Sequence, residues 1–502
     1  MILTRTLLGF AERRSRPSSR SELSSFFFLG FLALFFGLAS ALLPYWFVFS
    51  VLLVPAVAIL MLVWPELGFT ALIGLTCGLI HPAFVPRIPL LGGSVSASDA
   101  VLVMLALFAT FKFAAQPREQ SITPPVRGAR LLAVTFGLFG VCFVISVAVS
   151  LWVKEVNPSW VLGEARRLLY LATLPIAIVI LRRPEQQKRF VVSLVVLGCL
   201  FSIGQVFQGI LNIPVFGDKG RMVVLDTLGR QEHGTTRSIT LGIEVIVFAL
   251  LLAVGAYVLR VIRKRVFFPV CGLLLLGIFL SFGRTTFAVV LVCLVIVIFW
   301  LNIKKFPELV GSLVLVMALA SFGTIIFKPD YFAAVYYRMA SINTEVQSGD
   351  SAQWRYWEAE EIIPHILNYP ISGLGLGADY KKSNRSTVDS DLNRYIHNAY
   401  LYMAGKMGVP ALMIFLFAIS SVIAIGRHSA KSDEAPRWKR IVGGTSAAMM
   451  INFLLASLTE PHFMMDYSLV LIAISAAMVY FSAQPEPLHR LNIIDKNKSK
   501  II

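Results

Sequence analysis

The sequence predicts an all-α, polytopic integral membrane protein of about fourteen transmembrane helices with a large external helical loop. Three observations predict it. Of 502 residues 57% are hydrophobic and only 15% charged, with a mean hydropathy of +0.75, which is far from the balance of a soluble domain. Apolar runs of roughly 17 to 25 residues recur almost from end to end. Lys and Arg fall in alternate connections, as they do when short cytoplasmic loops retain positive charge.

Taken in order, the spans read as 24–43, 45–64, 67–85, 98–115, 131–153, 168–181, 190–211, 239–259, 266–282, 285–302, 308–327, 404–426, 441–458 and 466–482. The N-terminal tail, 1–23, holds Arg5, Arg13, Arg14, Arg16 and Arg20 and is expected in the cytoplasm. The inner connections then include Arg182, Arg183, Lys188 and Arg189, then Arg260 to Arg265, Lys304 and Lys305, and Arg427 to Arg440. Only the inner turn near Pro65 carries no positive charge, and an error of one span would put the later basic loops outside. The organisation expected is a basic tail (1–23), helices 1–11 (24–327), an external subdomain (328–397), helices 12–14 (398–482) and a second basic tail (483–502).

The net charge of +17 follows from that topology, and nucleic acid binding is not expected. All five cysteines, Cys77, Cys142, Cys199, Cys271 and Cys293, lie in spans, where they act as small apolar residues, and no Cys or His cluster has metal spacing. The N-terminal apolar run is too long for a cleaved signal, so the first span is read as part of the fold.

Three outer places hold polar residues that topology does not explain. The segment 212–238 carries Arg221, Arg230 and Arg237; the connection SFGRTTF carries Arg284; and the segment 328–397 is large enough for a small subdomain. Arg284 has two readings. It can snorkel to lipid phosphate, or it can bind an anion through its planar bidentate donors. Arg230 and Arg237 admit the same two.

Within the long segment, SAQWRYWEAEEIIPHILNYP reads as an interfacial amphipathic helix, with Trp354 and Trp357 at headgroup level and Arg355 and the Glu358–Glu361 cluster on wetter faces. In PISGLGLGADY, Gly373, Gly375 and Gly377 permit a turn and a close approach; without strand and helix context they are not a dinucleotide motif, and they position a loop. His397 is a candidate proton acceptor at the outer end of a span, Asn398 a candidate helix cap, and Asp379, Asp389 or Asp391 a candidate partner for the imidazole. Glu244 is the main acidic residue inside a span, and such scarcity weighs against an ion-coupled carrier.

The run from Ser351 to Pro410, with WRYW, YPISGLGLG and IHNAYLYMAGKMGVPAL, resembles the O-antigen ligase and O-antigen polymerase superfamily. The resemblance implies a GT-C type, metal-independent glycosyltransferase without cofactor in the bacterial cytoplasmic membrane, its active site facing the periplasm or exterior. Its donor would be an oligosaccharide on undecaprenyl diphosphate, and its acceptor a glycan or a lipid A core. The family's post-span arginine matches Arg284, and its second arginine matches Arg237 or Arg230. With these on the diphosphate, His397 would take the proton of the acceptor hydroxyl, while Asn398, Arg355, Gly373, Gly375 and Gly377 would support the loop or touch the acceptor. Ligase, polymerase and protein-directed enzyme stay open, with a slight preference for a polymerase. A transporter or flippase of lipid-linked or phosphorylated sugars is the alternative from another class, and Arg166 and Arg167 are expected to pack structurally.

Overall fold

A computed structural model of the chain describes residues 63–80, 88–90, 93–114, 127–211, 213, 215–216, 220–224, 236–281, 283–308, 310–311, 351–381 and 393–484. The expected span 24–43, nearly all of 45–64 and most of 308–327 lie outside the described residues, as do the first tail, nearly all of the second, Arg230, Asp389 and Asp391.

Helices carry the fold, as the sequence predicts. They are α1 (Pro65–Thr76), α2 (Ala97–Ala114), α3 (Arg127–Trp152), α4 (Pro158–Leu168), α5 (Thr173–Ile180), α6 (Pro184–Leu211), α7 (Ile243–Val258), α8 (Lys264–Leu280), α9 (Arg284–Asn302), α10 (Ser351–Asn368), α11 (Ala399–Met407), α12 (Val409–Lys431), α13 (Arg437–Ala456) and α14 (Asp466–Ala483). Among the described residues, six helices are long and apolar enough to cross a membrane: α2, Arg130–Trp152, Pro184–Gly209, Arg284–Glu308, α12 and α14. The expectation of helices alone needs one addition. Two short antiparallel hairpins are present, β1 (Ile88–Leu90) with β2 (Gly93–Val95) and β3 (Gly220–Val224) with β4 (Thr236–Thr240). They satisfy backbone hydrogen bonds locally where a connection leaves its helix.

Two expected spans are not single helices. Residues 168–181 divide into a 3-10 turn, Leu169–Ala172, and the eight-residue α5, which at 1.5 Å per residue runs only about 12 Å. Residues 404–426 break at Gly408, whose φ of +88° is a conformation an L side chain rarely adopts. The long helix therefore begins at Val409, and α11 is a short separate helix ahead of it.

Helices α7 and α14 are apolar and buried almost all round, so they form the centre. Beside them α13 packs closely on α12 because Gly426 faces Gly443 and Ala447, and small residues let helix backbones approach.

Ion pairs and side-chain hydrogen bonds join segments that the charge pattern assigns to the same side. Glu66 pairs with Arg189, Lys112 Nζ donates to the Ile180 carbonyl at 2.9 Å, and Arg440 Nε donates to the Ala430 carbonyl at 3.0 Å, all linking expected inner ends. Glu66 thus brings the one inner turn without a positive charge against a basic inner loop. At the other end Asp99 meets Arg166 at 3.2 Å, the structural packing expected of that arginine.

Candidate functional site

The site begins with a helix start. Asn398 has non-helical backbone angles, and its Oδ1 accepts the N–H groups of Tyr400 and Leu401 at 3.0 and 3.1 Å, so it caps α11. Its Nδ2 donates to the Leu458 carbonyl at 3.2 Å, while the Ala399 N–H donates to the Ser457 carbonyl at 3.0 Å. Both ends of the amide are thereby engaged by protein. From α10, Arg355 Nε donates to the Thr459 carbonyl at 3.1 Å. Three consecutive carbonyls after α13 therefore hold α11 and α10.

His397, one residue before the cap, is 31% exposed, and its partner is Glu358 on α10, 3% exposed. The ring Nδ1 lies 2.9 and 3.0 Å from the two carboxylate oxygens, and the His397 backbone N–H donates to Oε2 at 2.9 Å. Lys381 Nζ stands 3.6 Å from Oε1. Burial alone would raise the Glu358 carboxyl, but the hydrogen bonds from the His397 ring and backbone, with the charges of His397 and Lys381, hold it below its ordinary value. An ionised carboxylate only accepts, so Nδ1 carries a proton, and in the neutral ring the lone pair is on Nε2. This is the arrangement in which a buried acid orients an imidazole for proton abstraction. The Tyr395 ring meets the imidazole edge-on at 4.9 Å.

Sequence reasoning missed this acid. It put Glu358 on a wetter face and looked to Asp379, which instead meets Arg394 Nε at 2.9 Å. The missed signal is spacing: Glu358 lies four residues before the fully buried Ile362 and three after Arg355, hence on the inward face of α10.

The glycine turn follows α10. Gly373, Gly375 and Gly377 all have positive φ, at 65°, 99° and 75°. The Leu374 and Gly375 N–H groups donate to the carbonyls of Gly405 and Lys406 at 2.7 and 3.1 Å, and the Leu376 N–H donates to Ser150 Oγ at 2.7 Å. The Gly377 N–H goes to Glu164 Oε2 at 2.8 Å. Four successive donors are taken by protein, so the turn positions a loop and does not cradle an anion through those N–H groups. Lys406, fully buried, donates to the Ala378 carbonyl and stands 3.7 Å from Glu164 Oε1, tying α11, α4 and the turn together.

Arg284 is the first residue of α9. Cys293 Sγ donates to the Ala448 carbonyl at 3.4 Å and Arg440 Nη2 to the Leu301 carbonyl at 3.4 Å, so α9 and α13 run antiparallel in one register. Carried to the end of α9, that register sets Arg284 level with Ser457, whose carbonyl takes the Ala399 N–H. Arg237 lies on β4, paired with Val223, and β4 ends two residues before Gly242, the N-cap of α7. Glu244, in the first turn of α7, bonds Asn452 near the same end of α13. The backbone thus brings the positions of Arg237, Arg284 and His397 to one end of the bundle. Arg230 lies outside the described residues.

Comparison with known families finds that residues 269–416, from within α8 to within α12, match the O-antigen ligase family. No curated protein matches the chain. The matched segment contains Arg284, Glu358, the glycine turn and His397, and excludes Arg237 and Arg230. The apolar helices suggest a multi-pass membrane protein, and its segment 269–416 is similar to the O-antigen ligase family.

Proposed function

For a chain whose segment 269–416 is of the O-antigen ligase family, we propose an inverting, metal-independent glycosyl transfer from undecaprenyl diphosphate to an acceptor hydroxyl at the outer face of the cytoplasmic membrane. The observation that carries it is the Glu358–His397 pair, which in the neutral ring directs the lone pair to Nε2, at the end of the bundle where α9 begins with Arg284. The reading keeps about fourteen spans, with 328–397 on the outside.

In the proposed step the acceptor O–H gives its proton to His397 Nε2 as the oxygen bonds to the anomeric carbon. The bond from that carbon to the phosphate oxygen breaks, and the electron pair leaves with undecaprenyl diphosphate. Glu358 stabilises the imidazolium that forms. Arg284, with Arg237 or Arg230, meets the growing charge on the diphosphate through fixed cationic donors. A single displacement inverts the anomeric centre. Asn398, Arg355 and the glycine turn hold the frame in which these groups stand.

The test supplies purified protein in nanodiscs with an undecaprenyl diphosphate glycan, candidate acceptors and excess chelator. Wild type should release undecaprenyl diphosphate and form a lengthened or transferred glycan, with ligase and polymerase told apart by the product. His397→Ala and Arg284→Ala should each lose turnover by at least about a hundredfold. Folded variants that turn over like wild type remove both residues from the mechanism.

A further inference from the structure

Beside the dyad lies a second group of side chains that the proposed step does not use. The Arg394 guanidinium lies 3.6 Å from the ring centroid of Trp160, and its Nε donates to Asp379 Oδ1 at 2.9 Å. The arginine is mostly covered, at 12%, whereas Asp379 is 44% exposed and Trp160 38% exposed. What Trp160 presents to the outside is therefore not the face the guanidinium covers.

The platform is rigid for identifiable reasons. Trp160 sits in the first turn of α4, which starts at a capping Asn157 and Pro158. A Cβ at Gly377 would come within 2.7 Å of the Trp160 carbonyl carbon, so the backbone of α4 is pressed against the glycine turn. The other two members are held by pairing of the segments 377–381 and 393–397. The Tyr380 N–H donates to the Asn393 carbonyl at 3.2 Å, and Tyr380 Oη donates to the Tyr395 carbonyl at 2.8 Å. Burial pushes the Tyr380 phenol up, which keeps it protonated and a donor. Arg394 is three residues from His397, at most about 11 Å of chain, which is within the length of a disaccharide.

The chemistry of the group selects its ligand. A pyranose ring has an apolar C–H face that stacks on an aromatic ring, and hydroxyls that need both a donor and an acceptor. Trp160 offers its outer face and the exposed Asp379 accepts from the hydroxyls, while Arg394, stacked on the other face of the indole and bonded to Asp379, holds both in place. The Arg394–Asp379 pair carries no net charge, so it suits a neutral sugar and is unlike the cationic site a diphosphate requires. We propose that Trp160 and Asp379, held in place by Arg394, form a pyranose subsite for the acceptor glycan, one or two sugars from the hydroxyl that His397 deprotonates. The proposal rests on the transferase reading for the word acceptor, and it commits that acceptor to carbohydrate over a protein hydroxyl.

The experiment uses the full chain in nanodiscs without donor. The probes are two oligosaccharides: the repeat unit cleaved by mild acid from the undecaprenyl diphosphate glycan, and the core oligosaccharide cleaved by mild acid from lipopolysaccharide. Saturation-transfer NMR and microscale thermophoresis read binding to wild type, Trp160→Ala, Trp160→Phe and Asp379→Asn. Trp160→Ala should weaken binding of at least one glycan about tenfold, the size of one aromatic contact, and Trp160→Phe by less than about threefold. In turnover the acceptor KM should rise in step while the donor KM and kcat at saturating acceptor stay put. Unchanged affinity for both glycans in Trp160→Ala and Asp379→Asn overturns the subsite, since a tryptophan that only anchors to lipid changes melting and not glycan affinity. A rise in donor KM alone, or a Ser-containing peptide serving as acceptor in place of both glycans, overturns the acceptor assignment. Glycan binding that depends on Trp160 without turnover removes the transferase reading and leaves the sugar site standing.

Discussion

Replacing Glu358 by glutamine keeps its shape and removes one oxygen, and the geometry of the pair sets the outcome. Oε2 accepts the His397 backbone N–H at 2.9 Å, and both oxygens accept from Nδ1 at 2.9 and 3.0 Å. The buried backbone N–H must keep an acceptor, so the glutamine oxygen takes the Oε2 position and its NH2 takes the other. That NH2 then faces Nδ1, which had been donating to the carboxylate, and the Lys381 ammonium, which had stood as a cation 3.6 Å from Oε1. The NH2 opposite Nδ1 favours the tautomer with its proton on Nε2, in which the atom aimed at the acceptor loses its lone pair; in the other tautomer, still held by the glutamine oxygen, the imidazolium formed in the step loses its counter-charge. A misplaced general base costs about a hundredfold or more in kcat, or ~2.7 kcal/mol of transition-state stabilisation. The assay is initial release of undecaprenyl diphosphate in nanodiscs, with a size-exclusion profile and glycan affinity to show a folded protein. Donor and acceptor KM should change little. A folded Glu358→Gln protein whose kcat stays within threefold of wild type would refute the orientation argument.

Three further outcomes are expected. Because the folded Glu358 carboxyl is held below its ordinary value of 4.5, its stabilising contribution is present above that value and is lost as pH falls through the lower folded one; the melting-temperature gap between wild type and Glu358→Gln should therefore close on acidification below about pH 4. Lys406→Met leaves the Glu164 carboxylate buried without its cation and should cost roughly 3 to 5 kcal/mol, seen as a large drop in melting temperature, while Lys406→Met with Glu164→Gln should recover part of it. Gly408→Ala meets both a φ of +88° and the carbonyl oxygen of Ile371 and should sharply lower the folded yield, whereas Gly137→Ala, with nothing near its Cβ, should stay within about 1 kcal/mol by thermal scanning.

Hydropathy and charge carried much of the fold because a bilayer demands long apolar helices and leaves its mark on every connection. Where the structure departs from that reading, the cause is local and polar. Gly408 ends α11 through a backbone angle that hydropathy does not register, and Met407 and Val409 are as apolar as a continuous span would need. The site was legible where one residue announces its own chemistry, as His397 and the capping Asn398 do. Its partner was not, since Glu358 lies 39 positions upstream in an acidic run where charge alone suggests solvent. Only helical phase, with Ile362 one turn further on, separates the buried acid from its neighbours. Lys406 and Glu164 were hidden for the same reason, because a single charge in an apolar stretch names no partner 242 positions away.

Glu244 draws these parts together. An acid one turn inside an apolar helix is costly unless paired, and such residues often mark an ion path. Here Asn452 bonds the carboxylate, and His462 stands 3.7 Å from it, its Nδ1 lying 2.9 Å from Ser468 Oγ. His462 begins the turn that comes after the carbonyls of Ser457, Leu458 and Thr459, and the next residue, Phe463, packs edge-on against Tyr400 of α11. The pair therefore joins the first turn of α7, just past the β4 strand that bears Arg237, to the segment that holds His397 and α10. A carrier needs its intramembrane charge to meet solvent from both sides in turn. Glu244 and His462 are almost fully buried, and their partners gather at the end of α13 where Arg284 also lies. Polar residues placed this way fix these segments against each other, as the proposed transfer between two bound substrates would require.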